Sequence, residues 1–160
     1  MAVIRPYLPQ DAGAIADLTL AAIRTTALKA YSPEQVAAWA ARFSPQRVLD
    51  WAARGDTILV AVDANDAPLA YTVLAEGGIV EMLYCHPAHT GKGLAGALLA
   101  ALETQARATR VPRLTTEASE LAWPVFAKAG FERLHRRDFA IRHQGRAVAI
   151  HNYAMAKWLG

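Results

Sequence analysis

Apolar residues fall first at helical spacing and then in short unbroken runs, which divides the chain into a helical opening and a strand-rich middle. Val3-Ile4-Arg5-Pro6 is a short opening strand that Pro6 keeps from lengthening. Ile15, Leu18, Ala22 and Ile23 share one face of a helix that Asp11 caps and that runs to about Leu28. Tyr31-Ser32-Pro33-Glu34-Gln35 starts another, with Ser32 and Gln35 in the arrangement of a capping box and Pro33 at the first helical position. Val36, Trp39, Ala40 and Phe43 follow on one side. A third helix spans Pro45 to Ala53, capped by Ser44, with Val48, Leu49 and Trp51 as apolar contacts and Gly55 as its stop.

Three strands come next: Thr57 to Val62, Leu69 to Leu74 after the Asn65-Asp66 turn, and Ile79 to Cys85 after Gly77-Gly78. These read as an antiparallel meander. The following helix carries Leu94, Leu98 and Leu102 as a core stripe with Ala97 and Ala101 beside them, and Glu103, Gln105 and Arg107 outside. Arg113 to Glu117 is a short strand, Ser119 caps a helix to about Ala129, and Gly130 stops it before Phe131 begins another strand. Phe139 to Arg142 and Ala147 to Met155 pair around Gln144-Gly145 as a closing hairpin. With no repeat and no linker, residues 1–160 read as one α/β (α+β) domain, a mixed, mostly antiparallel sheet flanked by helices.

Composition narrows the setting. At 160 residues and 54% hydrophobic the chain can bury a sizeable core. No apolar run approaches the roughly 18 residues of a membrane span, and the first residues lack a signal peptide's pattern, so the expectation is a cytoplasmic protein with no membrane partner. Cys85 is the only cysteine, and His86, His89, His135, His143 and His151 have no metal-ligand spacing, so neither a disulfide nor a metal is expected. The charge of +3 is scattered: Arg133, His135, Arg136 and Arg137 sit beside Glu132 and Asp138. Without a nucleic-acid motif, that balance suits an anionic cofactor better than a nucleic acid.

Candidate chemistry concentrates between Tyr84 and Leu99. A strand end, a Pro-punctuated turn and three glycines, Gly91, Gly93 and Gly96, lead into a helix N-terminus. Glycine lets the backbone approach a phosphate, and the first helical N–H groups have no intrahelical acceptor, so this is an anion cradle. A P-loop would need glycines five apart followed by Lys and Ser or Thr, which Gly91-Lys92-Gly93 does not supply. The Gly-x-Gly-x-x-Gly spacing of a dinucleotide site is met formally, but after an antiparallel meander rather than between parallel strands.

The strand, His86-Pro87, then Thr90-Gly91-Lys92-Gly93-Leu94-Ala95 resembles the acyl-CoA motif of the GNAT superfamily of N-acyltransferases. The order of elements is similar over most of the chain, and Val125-Phe126-Ala127-Lys128-Ala129-Gly130-Phe131 is similar to the family's second signature. Tyr31-Ser32-x-Glu34-Gln35 with Trp39, and Glu117-Ala118-Ser119, look like a small bacterial subgroup with mostly undefined substrates. Two positions depart from the family pattern. Thr90 stands where Arg or Gln is usual, which leaves the cradle to backbone donors, each favouring an anion by about 0.3 to 1 kcal/mol. Phe126 stands where many members carry a proton-donating tyrosine.

The resemblance implies a GNAT fold, acetyl-CoA as co-substrate and an amine of a small molecule or peptide as acceptor, with a homodimer as a candidate assembly. By it, the Leu83 and Cys85 backbone would pair with the pantetheine arm, and Thr90, Gly91, Lys92, Gly93, Leu94, Ala95 and Gly96 would hold the pyrophosphate. Lys92 reads equally as a solvated lysine at a helix start, and Ser119 as a cofactor contact or a plain cap. Phe126 would wall the thioester pocket. Neutralising a lysine-like ammonium at pH 7 costs about 4.6 kcal/mol and an α-amine about 1.4, so a base matters. Glu81, flanked by apolar Val80 and Met82, matches the position of a catalytic glutamate in some members, and burial there would raise its pKa. Tyr153 is the named candidate acid, beside Tyr84, water or the product ammonium. Thr25, Thr26, Tyr31 and Trp39 are the candidate acceptor contacts, although the apolar stripe argues more strongly for Trp39 as core. A non-enzymatic acyl-CoA-binding module is the alternative to an enzyme.

Overall fold

The unbroken apolar runs of the middle of the chain fold as the core of one seven-stranded sheet, in a computed structural model that describes residues 2–160. The strands are β1 (Val3–Pro6), β2 (Thr57–Val62), β3 (Pro68–Ala75), β4 (Ile79–Cys85), β5 (Arg113–Ala118), β6 (Glu132–His143) and β7 (Arg146–Trp158), in the spatial order β1-β2-β3-β4-β5-β7-β6. Every neighbouring pair is antiparallel except β4 with β5, which is parallel. Because β2 to β4 have helices over both faces, they read as continuous runs rather than alternating patterns.

Helices α1 (Ala12–Ala21) and α3 (Pro45–Ala53) cover one face, where Ile15, Leu18, Val48 and Trp51 pack on Val60, Tyr71 and Val73. Helices α4 (Leu94–Ala108) and α5 (Trp123–Lys128) cover the other, with Leu98, Leu102 and Phe126 against Val80, Leu114 and Met155. A third cluster seats α2 (Pro33–Ala40) on the β6–β7 hairpin through Val36, Ile141, Val148 and Ile150. The α2 start is the predicted box: Ser32 Oγ accepts from the Gln35 N–H at 3.1 Å, and the Gln35 side chain accepts from the Ser32 N–H at 2.9 Å.

Several expectations need correction. The first helix does not run unbroken to Leu28; it widens into a π-helical turn over Ala22–Thr26 and tightens into a 3-10 turn over Ala27–Lys29. Asp11 stands at its N-cap but does not bond the helix; its carboxylate takes the Leu8 N–H and a bidentate Arg5. Ser44 likewise makes no side-chain cap bond. On α4, Ala97 is exposed, and Leu99 and Ala106 complete the buried stripe. Ser119 lies a turn before α5, where its hydroxyl accepts from the Ala122 N–H. The strand expected from Phe131 and the Phe139 to Arg142 arm of the closing hairpin are one continuous strand, β6, because β7 pairs along its whole length although Leu134 is the only apolar residue between Glu132 and Asp138. The hairpin turn is the expected one, with Gln144 and Gly145 both at positive φ (50° and 75°).

Gly78 fixes where β5 meets the meander. A Cβ there would lie 2.3 Å from the Arg113 carbonyl oxygen and 2.7 Å from Val111 Cγ1, at a φ of +82°. Gly77 has a similar φ of +84° with open space around it. Gly78→Ala is therefore expected to lose roughly 2 to 4 kcal/mol in urea denaturation, clearly more than Gly77→Ala, which carries only the backbone strain. Equal losses would show that the close approach is not what Gly78 provides.

Candidate active site

The parallel pairing of β4 with β5 covers only Ile79↔Thr115 and Val80↔Thr116, after which the two strands part. At the parting, the Thr116 hydroxyl donates to the Val80 carbonyl at 2.8 Å. On the opposite edge the β3–β4 register runs Val73↔Met82 and then Leu74↔Val80, so Glu81 is an extra residue without a partner, a β-bulge. The bulge reverses the alternation: Val80 packs on the α4 side and Met82 on the α1 side, although two residues apart they would normally share a face. Beyond it, the His86 N–H donates to the Leu69 carbonyl at 2.8 Å. Hydrogen-bonding direction alternates along a strand, so Tyr84 and Met82 face β3, while Leu83 and Cys85 turn their backbone groups into the gap.

Three cavities follow this gap. The first, about 590 Å³, lies where the chain leaves β4 for α4 and is lined by Cys85, Thr90, Gly91, Gly93 to Gly96, and Leu99. Gly91 and Gly93 both sit at a φ of +77° with nothing near a would-be Cβ, so the backbone around the α4 N-terminus is bare. The uncapped N–H groups of the first helical turn and the macrodipole make that end anion-seeking. Thr90 Oγ1 donates to the Pro87 carbonyl at 3.3 Å. Lys92 lines none of the cavities, and its Nζ lies 3.0 Å from His89 Nδ1.

The second cavity, about 140 Å³, sits mid-gap between Thr26 and Ala27 of the irregular turns and Leu83, Tyr84, Cys85, Ser119 and Ala122. The third, about 310 Å³, opens beyond it and is bounded by Tyr31, Trp39, Glu81, Tyr84, Ser119 and Phe126, with Arg42, Arg47, Glu117, Arg137, Phe139 and His151 further round its wall. Aromatic rings frame it: Tyr71 stacks on Tyr84 at 6.1 Å, Tyr84 meets Trp39 at 6.4 Å, and Trp39 meets Tyr31 edge-on at 5.6 Å. Burial pushes the Tyr84 phenol well above its ordinary pKa, so it keeps its proton. Burial also raises the Cys85 thiol, with Lys92 opposing weakly.

The structure thus gathers most of the sequence candidates. Glu81, Leu83, Cys85, Thr90, Gly91, Gly93, Leu94, Ala95, Gly96, Ser119, Phe126, Thr26, Tyr31 and Trp39 all line the gap. Trp39 is only partly buried and borders two cavities, so it is less a core residue than the apolar stripe implied. Thr25 is exposed and lines none of the three. Glu81 is not the sequestered carboxylate that its apolar neighbours suggested; its side chain is 29% exposed and pairs with Arg54 at 3.0 Å. Tyr153 lines none of the cavities, and its hydroxyl donates to Glu120 at 2.9 Å.

Sequence reasoning missed the brace around Glu120. Its carboxylate takes Tyr153, His151 and Trp123, while its backbone N–H donates to the Tyr31 hydroxyl at 2.8 Å, which in turn donates to the His151 carbonyl at 2.9 Å. These bonds tie the segment after β5 to β7 and hold the far wall of the third cavity. The hydrogen bond from His151 is the main reason the Glu120 carboxyl titrates below its usual range. Arg42 and Arg47 were also missed, because nothing in an arginine between two helices says which way it turns. Among the described residues, no cluster of His, Cys, Asp or Glu is arranged to hold a metal, and no helix is long and apolar enough to cross a membrane.

A sheet parted beside a helix N-terminus, with a half-open cavity behind the gap, has the shape to take an extended anionic ligand between its strands. The chain belongs to the GNAT acetyltransferases: the family model for the acetyltransferase (GNAT) domain matches residues 27–143. It is 29% identical over 139 residues to the uncharacterized N-acetyltransferase YafP of Escherichia coli (strain K12), covering 87% of each chain. A GCN5-related N-acetyltransferase from Rhodopseudomonas palustris superposes with a TM-score of 0.84 at 34% identity, over 99% of this chain and 96% of that one. The PaiA N-acetyltransferase of Thermoplasma acidophilum, solved with coenzyme A, shares the fold at a TM-score of 0.78 and 16% identity, over 99% of both chains.

The Tyr153 phenol is held above its ordinary pKa first by its hydrogen bond to Glu120, which favours the protonated form. Glu120→Gln is expected to move the Tyr153 titration back down towards about 10. The 13C shift of its ring Cζ against pH reads this directly. An unmoved titration would show that Glu120 does not hold the phenol.

Proposed function

We propose that the protein is an acetyl-CoA-dependent N-acetyltransferase in which an amine of a small molecule or peptide attacks the thioester directly. The observation that carries this is the free β4 edge at Leu83 and Cys85, which runs from the glycine-lined end of α4 to the cavity that holds Glu81. The N–H groups from Gly91 to Gly96 bind the pyrophosphate in this reading, and the β4 edge aligns the pantetheine arm as an added strand. Thr26, Ser119 and Ala122 wall the point where the acetyl group meets the acceptor. Acetyl-CoA supplies the activated acetyl thioester, the new C–N bond forming as the C–S bond breaks, with one proton released overall from the acceptor ammonium.

Glu81 is the proton acceptor, positioned by the bulge and steadied by Arg54, taking the ammonium proton directly or through one water. Of the two tyrosines considered as acid, Tyr84 borders both inner cavities with its proton retained while Tyr153 borders neither, so Tyr84 is the better-placed phenol. A thiol of pKa near 8.5 leaves without a strong acid, which fits the missing hydroxyl at Phe126.

Acetyl-CoA and CoA are each expected to raise the melting temperature, and free thiol should appear with a suitable amine. Glu81→Gln should keep the stabilisation and lose roughly 10- to 1,000-fold in kcat at neutral pH, a deficit that shrinks at alkaline pH as the amine loses its own proton. No stabilisation by either cofactor form would overturn the cofactor reading. Stabilisation without thiol release from any amine would instead favour the acyl-CoA-binding module, and undiminished turnover of Glu81→Gln would remove Glu81 as base.

A further inference from the structure

Two arginines on the wall of the third cavity have no acidic partner. Arg42, just past the end of α2, and Arg47, in α3, make no ion pair and no side-chain hydrogen bond among the described residues. Most other arginines at this end of the molecule are engaged: Arg54 with Asp56 and Glu81, Arg137 with Glu117 at 2.7 Å, and Arg136 with Asp138 at 3.0 Å. Arg47 is nevertheless fixed in place, its guanidinium 5.6 Å from the ring centres of both Phe43 and Trp51. Such stacking holds the carbon of the fork and leaves its in-plane N–H donors free.

The charges bordering the cavity do not cancel. Its two carboxylates, Glu81 and Glu117, are each already paired with an arginine, so Arg42 and Arg47 remain as uncompensated positive charge. Arg42 is exposed at the mouth and Arg47 is half-buried, and both lie close enough to the half-buried Tyr84 phenol to favour its ionised form. A cationic acceptor without a compensating anion would enter against this field. An amine that also bears a carboxylate would instead place it on the guanidinium forks, which match a carboxylate's two oxygens. The same field disfavours the ammonium form of the acceptor nitrogen and so lowers the cost of freeing its lone pair.

We infer that the acceptor is an amino-carboxylic acid, its carboxylate held by Arg42 and Arg47 and its body lying among Tyr31, Trp39 and Phe139 while its amine faces Glu81. The cavity of about 310 Å³ is at the small end of ligand sites, in keeping with a single amino acid. This rests on the acetyltransferase reading for the direction of the amine, but the carboxylate subsite is testable without turnover.

The probes are phenylalanine and its product form N-acetylphenylalanine, each set against the amide that lacks the carboxylate, phenylalaninamide and N-acetylphenylalaninamide. Calorimetry on the CoA-loaded protein is expected to show binding of N-acetylphenylalanine at least tenfold tighter than that of N-acetylphenylalaninamide, with the difference weakening as salt rises. Where thiol release is measurable, kcat/KM should favour phenylalanine over its amide, although the amide's less basic amine gives it the advantage in solution. The double variant Arg42→Gln/Arg47→Gln should bring both ratios close to one, and a retained CoA-induced rise in melting temperature shows that it is folded. Equal or tighter binding of the amide, or a ratio unchanged in the double variant, overturns the inference. Failure of CoA to stabilise the unmutated protein overturns the cofactor reading instead, and the same calorimetry on the unloaded protein then tests the subsite, a carboxylate preference lost in the double variant supporting it and no preference overturning it.

Discussion

Everything at the site follows from the shortness of one pairing: β4 and β5 stay together for two residue pairs and then separate. A parallel sheet interior does not leave backbone donors and acceptors open, because each unpaired group inside a protein costs about 1 to 3 kcal/mol. The opening persists because both strands are held from their far sides, β4 by β3 and β5 by β7, while Gly78 lets them come together at the root. What results is an edge inside a sheet. An interior edge can take a guest strand in register without exposing the molecule to pairing with other chains, the hazard of an outer edge.

The bulge at Glu81 supplies the second half of the arrangement. One extra residue in β4 lets Val80 serve the α4 core and Met82 the α1 core, and it leaves Glu81 unpaired at the mouth of the gap. A carboxylate on a regular strand position would have been carried to one core or the other. The irregular turns over Ala22–Thr26 and Ala27–Lys29 act similarly from above, since widening the helix there brings Thr26 and Ala27 to the middle cavity.

These features also mark where sequence reading stopped. Periodicity and turn chemistry located the meander, the α2 capping box and the α4 stripe, because each is written in local residue types: Ser32 with Gln35, Gly77 with Gly78, Leu94 with Leu98 and Leu102. The glycine turn into α4 was legible for the same reason. The bulge was not, since Ile79 to Cys85 is apolar enough to suit either register and only the partner strand decides. Of the first seven residues of β6 only Leu134 is apolar, and it is pairing with β7 that joins them to the hairpin as one strand. The third cavity was least legible, for its wall is assembled from α2, α3, β5, β6 and β7, and the pairing that leaves Arg42 free but engages Arg137 depends on contacts up to 20 residues apart in sequence.

The two halves of the site therefore differ in what can change them. The end proposed for the cofactor is built from backbone: positive-φ glycines, the first turn of α4, and the Leu83 and Cys85 edge. Such a surface tolerates Thr90 and Phe126, because neither alters the direction of an N–H group. The end proposed for the acceptor is built from side chains on short helices and a hairpin packed as a separate cluster around Ile23, Val36 and Ile150. Substitutions there move charge and volume in the third cavity while leaving the sheet root at Gly78 and the α4 stripe untouched. A fold arranged in this way can keep one acyl donor and exchange its amines, and the charge pattern of the acceptor wall carries more information about the substrate than the shared fold does.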